Sequence, residues 1–215
     1  MKTKEKFEHW ILEEDHPCIM AQTVFSQEHV KTKQYGKLGD PQHTRILLKD
    51  LEKYIAEYDF ETNDFKSFIA VFPESTIATE DEFERLLWKQ LEEIEKIDTV
   101  DWDPSVSRDP EDDNFSFSIA GRSFYIVGMH PNSSRKARRS PYPSIAFNLH
   151  AQFEKLREMG AYEKVRDKIR ERDKELQGSM NPMLEDFGLS SEAKQYSGKA
   201  TGKDWVCPFH QLETE

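Results

Sequence analysis

The sequence predicts an α+β fold, a mostly antiparallel sheet covered by helices. Three observations carry that expectation. A β-hairpin pattern runs through residues 115–128, where Phe115, Phe117 and Ile119 alternate with serines, a short turn follows, and Phe124 to Gly128 returns. Several segments repeat apolar residues at helical spacing between recognisable start and stop signals. The chain has 215 residues and 12% aromatics, fourteen of them Phe, enough for a sizeable core without disulfide or metal. One domain over residues 1–215 is expected, ending in an irregular but packed tail, 179–215.

In chain order, Lys31 to Gly36 is a short strand candidate. Asp40-Pro41 then opens a helix, Asp as cap and Pro in the tolerated first turn. Leu47, Leu51, Tyr54, Ile55 and Tyr58 mark its buried face. Ser67 to Phe72 is a buried strand ended by Pro73. Thr79 stands three residues before Glu82, the capping-box spacing, and Phe83, Leu86, Leu87, Leu91, Ile94 and Ile97 form the stripe of the helix that follows. The acidic stretch 98–113 is expected to be a solvated connector. Ala120-Gly121-Arg122 turns the hairpin. Ser144 to Phe147 is a further strand. A helix carrying Leu149, Phe153, Leu156 and Met159 stops at Gly160. Another, carrying Tyr162, Val165, Ile169 and Leu176, stops at Gly178. The tail holds Leu184, Phe187, Tyr196, Trp205 and Phe209, too many large apolar groups to dangle.

Thirty basic and forty-one acidic residues leave a net charge of −11. A chain this acidic repels polyanions on average, so neither nucleic acid nor a membrane surface is an expected partner. No run approaches the roughly 18 apolar residues of a membrane span. Met1 to Trp10 is charged and lacks the apolar region of a secretory signal. A cytoplasmic protein is therefore expected, with Cys18 and Cys207 as free thiols.

The stretch Gly128 to Arg139 concentrates chemistry. His130 follows a strand, then come Ser133, Ser134, Arg135, Lys136, Arg138 and Arg139. Arginine forks and hydroxyls bind carboxylates and phosphates, so an anion site is one reading. A basic loop paired with the acidic stretch 98–113 is the other. His150 enters a helix beside Leu149 and reads as a half-buried, satisfied residue or as a ligand. His9, His29 and His43 have polar neighbours and are expected to face solvent. His16, Cys18, Cys207 and His210 have the ligand count of a Cys₂His₂ zinc site, although His-x-Cys is a tight spacing for it. Composition and spacing lead to an α+β domain with an anion-binding loop.

At these residues the sequence resembles the YqcI/YcgG family of bacterial proteins. The matching runs are His16 to Ala21, Phe115 to Ser118, Phe124 to Arg135 with Ala137 to Arg139, Phe147 to His150, Asn181 to Leu184, Tyr196 to Gly198 and Trp205 to Phe209. The resemblance implies a heme protein, because characterised relatives are heme-dependent N-hydroxylases of guanidine groups in guanitoxin and cycloserine biosynthesis. It implies a heme-b oxygenase or peroxygenase acting on a small, cationic guanidine or amine substrate. A non-catalytic heme-binding or heme-sensing protein is the alternative, followed by a small-anion or zinc module. No C-x-x-C-H motif is present, so the heme b would be non-covalent. Its propionates suit Arg135, Arg138 and Arg139 with Ser133 and Ser134. The axial candidates are His130 first, His150 second and Cys18 third. A cationic substrate would be held by Glu154 or by the 98–113 acids.

Overall fold

The computed structural model describes residues 1–179, 188–202 and 204–209. Leu184, Phe187, His210 and the Asn181–Leu184 run lie outside them. Five strands form one sheet in the order β1-β2-β5-β4-β3. They are β1 (Val30–Gln34), β2 (Ser67–Val71), β3 (Phe117–Ile119), β4 (Arg122–Met129) and β5 (Ser144–Leu149). Only β1 and β2 run parallel; every other pair is antiparallel. The architecture is the expected α+β one.

The hairpin closes as its sequence predicts. Ala120 and Gly121 both have positive φ, +49° and +71°, the backbone that a two-residue turn needs to match strand twist. The acidic stretch before it is more than a solvated connector. Asp98 Oδ2 accepts the Ala120 N–H (2.6 Å), and Asp103 Oδ2 accepts the Ser123 N–H (2.8 Å). These carboxylates fasten the hairpin's turn, and the basic loop finds its partners elsewhere.

Strand alternation divides the interior. Phe68, Ala70, Phe124, Ile126, Ile145, Phe147 and Leu149 face the larger core, under helices α3 (Pro41–Ala56) and α4 (Glu80–Glu95). The tail packs there too. Tyr196 lies in the short helix α7 (Ala193–Tyr196), stacks on Trp88 at 5.6 Å and donates or accepts at the Phe117 and Phe124 backbones; Phe209 is 4% exposed. Both long helices begin as expected. Asp40 accepts the Gln42 N–H (2.9 Å), and Thr79 Oγ1 accepts the Glu82 N–H (3.1 Å). The α4 box is displaced by one residue, because Glu82 reaches back to the Ala78 N–H (2.8 Å).

Ile69, Val71, Val127, Met129 and Ala146 face the opposite way. That side is covered by α1 (Thr3–Glu8), a π-helical turn (His9–Glu13), α2 (Ile19–Ser26), α5 (His150–Glu158) and α6 (Tyr162–Gln177). The N-terminal helices carry no cap signal as clear as Thr79, and the sequence reading left them unassigned. Gly160 ends α5 at φ +65°, with Gly160 N–H to Arg157 O (2.8 Å) and Ala161 N–H to Leu156 O (3.1 Å), a Schellman closure. No helix among the described residues is long and apolar enough to cross a membrane.

Candidate functional site

Between the second sheet face and its helices lies a cavity of about 330 Å³. Its floor follows from strand parity. Tyr125, Val127 and Met129 of β4 and Ala146 and Asn148 of β5 point into it, and Ala146 is too small to fill the space above it. Phe7, Trp10, Val24, Phe25, Phe153 and Leu156 supply apolar walls. Six cationic residues, Lys66, Arg135, Arg138, Arg157, Arg166 and Arg170, line it against two acids, Asp173 and Glu192. The lining is therefore apolar with a positive excess, in a chain whose total charge is −11.

Cys18 caps α2, and its Sγ accepts the Ala21 N–H at 3.4 Å. Burial pushes the thiol pKa up, while the Ala21 and Met20 amides, Arg138 and Arg172 oppose that rise. His16 is locked beside it. Its Nε2 is 3.0 Å from the Ala137 carbonyl, and its Nδ1 accepts the Cys18 N–H at 3.2 Å. Those partners specify the neutral Nε2–H tautomer. Burial lowers the His16 pKa to about 4, against the raising effect of the Ala137 carbonyl. Its ring also meets Trp10 edge-on at 4.8 Å.

His150 opens α5 and faces the same cavity. Its Nε2 is 3.5 Å from Glu192 Oε1, and Glu192 is 4% exposed. The other carboxylate oxygen of Glu192 lies 3.4 Å from the Tyr196 hydroxyl. Tyr125 donates its hydroxyl to Gln195 Oε1 (3.0 Å), and burial pushes its pKa up to about 12.

The basic loop splits between the two sides of the molecule. Arg135 and Arg138 enter the cavity side. Arg135 pairs with Asp173 through Nη2, while its Nε–H is buried and has no partner among the described residues. Arg138 donates to the Gly128 carbonyl (2.8 Å) and the Gln195 carbonyl (3.3 Å). Ser134 turns away and donates to Glu80 Oε1 from both N–H and Oγ (2.9 and 2.8 Å). Arg139 folds onto its own loop, donating to the Ser133 carbonyl (2.7 Å) and Ser134 carbonyl (3.3 Å). Ser133 is buried with its hydroxyl unpartnered and does not line the cavity.

His130 also lies outside the cavity. It is 1% exposed, its ring packs 4.5 Å from Phe83 of α4, and neither ring nitrogen has a partner among the described residues. Burial lowers its pKa, with Glu80 pulling the other way. The reason is parity. Met129 points to the cavity, so the next residue points to α4 with Phe124, Ile126 and Gly128. Of the eight sequence-derived cofactor residues, Cys18, His150, Arg135 and Arg138 converge on the cavity, and His130, Ser133, Ser134 and Arg139 do not.

Cys207 belongs to the core on the α4 side, so it lies across the sheet from Cys18, and both cysteines are free. No cluster of three metal-ligating side chains forms among the described residues. The sequence reading missed Tyr125, Asp173, Glu192 and Gln195. Parity would have found Tyr125; no local pattern marks the other three.

Nearly the whole sequence, and the cavity with it, is similar to known proteins. The chain is 25% identical over 155 residues to the uncharacterized protein YqcI of Bacillus subtilis (strain 168), covering 70% of this chain and 61% of the relative, less than two thirds of its length. It is 24% identical over 213 residues to the uncharacterized protein YcgG of the same organism, covering 92% and 81%. No solved structure matches the chain. The profile of the YqcI/YcgG family spans residues 7–210, nearly the whole sequence, and the chain belongs to that family.

Proposed function

We propose that the cavity holds a non-covalent heme b and that the chain is a heme-dependent oxygenase or peroxygenase for a small substrate with a cationic amine or guanidine head. One observation carries this reading. Three separated stretches, His16–Ala21, Tyr125–Arg138 and Asn148–His150, meet at a single apolar cavity and bring a thiol, two imidazoles and two arginines to it.

The chemistry of the lining supports this group. Apolar walls suit a macrocycle. The unpartnered Arg135 Nε–H is a buried cationic donor without an acceptor, and a propionate oxygen satisfies it. Cys18 sits at a helix N-terminus beside backbone N–H donors and arginines, which partly offset the burial that raises its pKa; a bound ferric iron would favour its thiolate further. Cys18, rather than His130, which packs on α4, would be the residue to hold the iron. Bound there, heme supplies activation of O₂ or peroxide and oxygen transfer. The chain's own residues do the rest. The walls exclude water, Arg135 and Arg138 orient the anionic edge, and His150 backed by Glu192 holds a proton at Nε2. Glu192, rather than Glu154 or the distant 98–113 acids, is the carboxylate available to a cationic head.

Expression with a heme precursor tests the reading. The purified protein is expected to show a Soret band and a red-shifted, thiolate-type ferrous–CO spectrum. Cys18→Ala loses that spectrum and His130→Ala keeps it. Absence of any Soret band, or of any thermal shift with hemin, overturns the proposal. Heme retention without turnover of any guanidine or amine leaves the non-catalytic heme-binding alternative.

A further inference from the structure

The wall formed by α6 differs from every other wall of the cavity. Tyr162, Val165, Arg166, Ile169, Arg170 and Asp173 follow helical spacing and line the cavity. Yet Asp173 is the single buried residue of this 16-residue helix, and none of its apolar side chains belongs to either core. By contrast, α4 buries seven residues over the same length. A helix held by few buried apolar groups belongs to the low-stability end of a fold.

Polar fastenings hold α6 in place instead, among them a set in its last turns. Arg135 pairs with Asp173. Lys136 donates its Nζ to the Leu176 carbonyl (2.9 Å) and its N–H to Gln177 Oε1 (2.9 Å). Arg172 donates to Asp15 Oδ1 (2.6 Å) and to the His16 carbonyl (3.1 Å). The other end starts two residues after Gly160, which has positive φ and nothing within 4 Å of where a side chain would stand, and Arg157 of α5 lies over the Tyr162 ring at 4.2 Å. A glycine turn from α5 at one end and a polar latch at the other make a hinged element.

Arg135 belongs to both the latch and the cavity. Its Nη2 grips Asp173, and its Nε–H is buried without an acceptor. We propose that α6 is a lid over the cavity, hinged at Gly160 and latched by Arg135–Asp173, and that an apolar ligand bearing a carboxylate or sulfonate holds it shut by engaging Arg135. The lid requires only an apolar anion, not heme, and heme-free protein suffices to test it. Failure of one reading therefore leaves the other standing.

Hydrogen exchange of the full chain, with and without 8-anilinonaphthalene-1-sulfonate, tests the lid. In the free protein, amides of 162–177 are expected to exchange well ahead of those in 80–95. Asp173→Asn speeds α6 exchange by about 10- to 100-fold and leaves α4 unchanged, as expected when one partner of a buried pair is removed. Arg172→Gln, which breaks the outer fastening and leaves the buried pair intact, speeds α6 exchange by about 3- to 10-fold. The sulfonate slows α6 exchange in the wild type and fails to do so in Arg135→Gln. Exchange of α6 in step with α4, rates unmoved in both latch variants, or sulfonate that leaves α6 unprotected in the wild type overturns the proposal.

Discussion

Gly128→Ala is the sharpest single test of the packing described above. Gly128 lies in β4 with its side-chain direction toward α4. An added Cβ would stand 2.4 Å from Leu87 Cδ1, 2.8 Å from Phe83 Cε1 and 2.7 Å from the Tyr196 carbonyl oxygen. Leu87, Phe83 and Tyr196 are all 0% exposed, so no neighbour has open space to move into. The carbonyl is backbone and yields least. Overpacking of this kind costs about 1–3 kcal/mol. Alanine recovers roughly 0.5–1 kcal/mol over glycine in a strand through the unfolded chain. A net loss of about 1–2 kcal/mol follows, or roughly 2–8 °C in Tm at this chain length. Gly202→Ala, with nothing within 4 Å and no positive φ, is the matched control and is expected to be near neutral. Thermal and urea unfolding of the two variants measure the difference. A Gly128→Ala midpoint indistinguishable from that of the control would refute the close approach of α7 to β4. The same substitution pushes on the strand whose Gly128 carbonyl receives Arg138, so the damage reaches the cavity as well.

Three further predictions follow from individual residues. Arg135→Ala is expected to weaken hemin binding about 10- to 100-fold, the worth of a charge-assisted bond to a partly buried carboxylate, whereas Arg139→Ala, whose guanidinium bonds its own loop, leaves affinity unchanged; equal losses in a hemin titration would contradict the split of the basic loop. His16 makes the ligand-free protein acid-sensitive. Its folded pKa of about 4 lies below the ordinary 6.5, so the unfolded chain takes the proton first, and stability falls as pH drops from 6.5 toward 4. The loss is about 2 kcal/mol at pH 5 and about 3 kcal/mol at pH 4, and it should vanish from the pH profile of His16→Gln; identical profiles by urea unfolding would show that His16 does not titrate this way. Thr79→Ala removes the cap of α4 and should cost about 1 kcal/mol, or about 2–4 °C in Tm, with no midpoint change counting against the observed bond to the Glu82 N–H.

Much of the secondary structure was written locally. Asp40-Pro41, Thr79, Ala120-Gly121, Gly160 and Gly178 act on their own neighbours through caps, turns and positive φ. A reader of the sequence therefore finds the elements beside them in place. The N-terminal helices escaped because they are short, carry no side-chain oxygen cap on α1 and place a cysteine at the cap of α2. The basic loop was legible as a concentration of charge, and half of it does face the cavity.

The sequence by itself determined the class of fold, the hairpin, the long helices and the residue types available for a site. The tertiary structure alone decided which of them meet. His130 illustrates the limit from one side: period-two alternation along β4 already placed it with Phe124 and Ile126, but only the packing of α4 on that face turned the alternation into burial against Phe83. Glu192 illustrates it from the other, since nothing around it in sequence distinguishes it from the other surface acids until the tail folds back beside His150. The stripe Tyr162, Val165 and Ile169 promised an ordinary core contact, and the structure gives it a cavity instead. The physical reason is common to all three. Periodicity reports that a face is kept from water, whereas the partner across that face, whether side chains, a ligand or empty space, is set by segments far away in the chain.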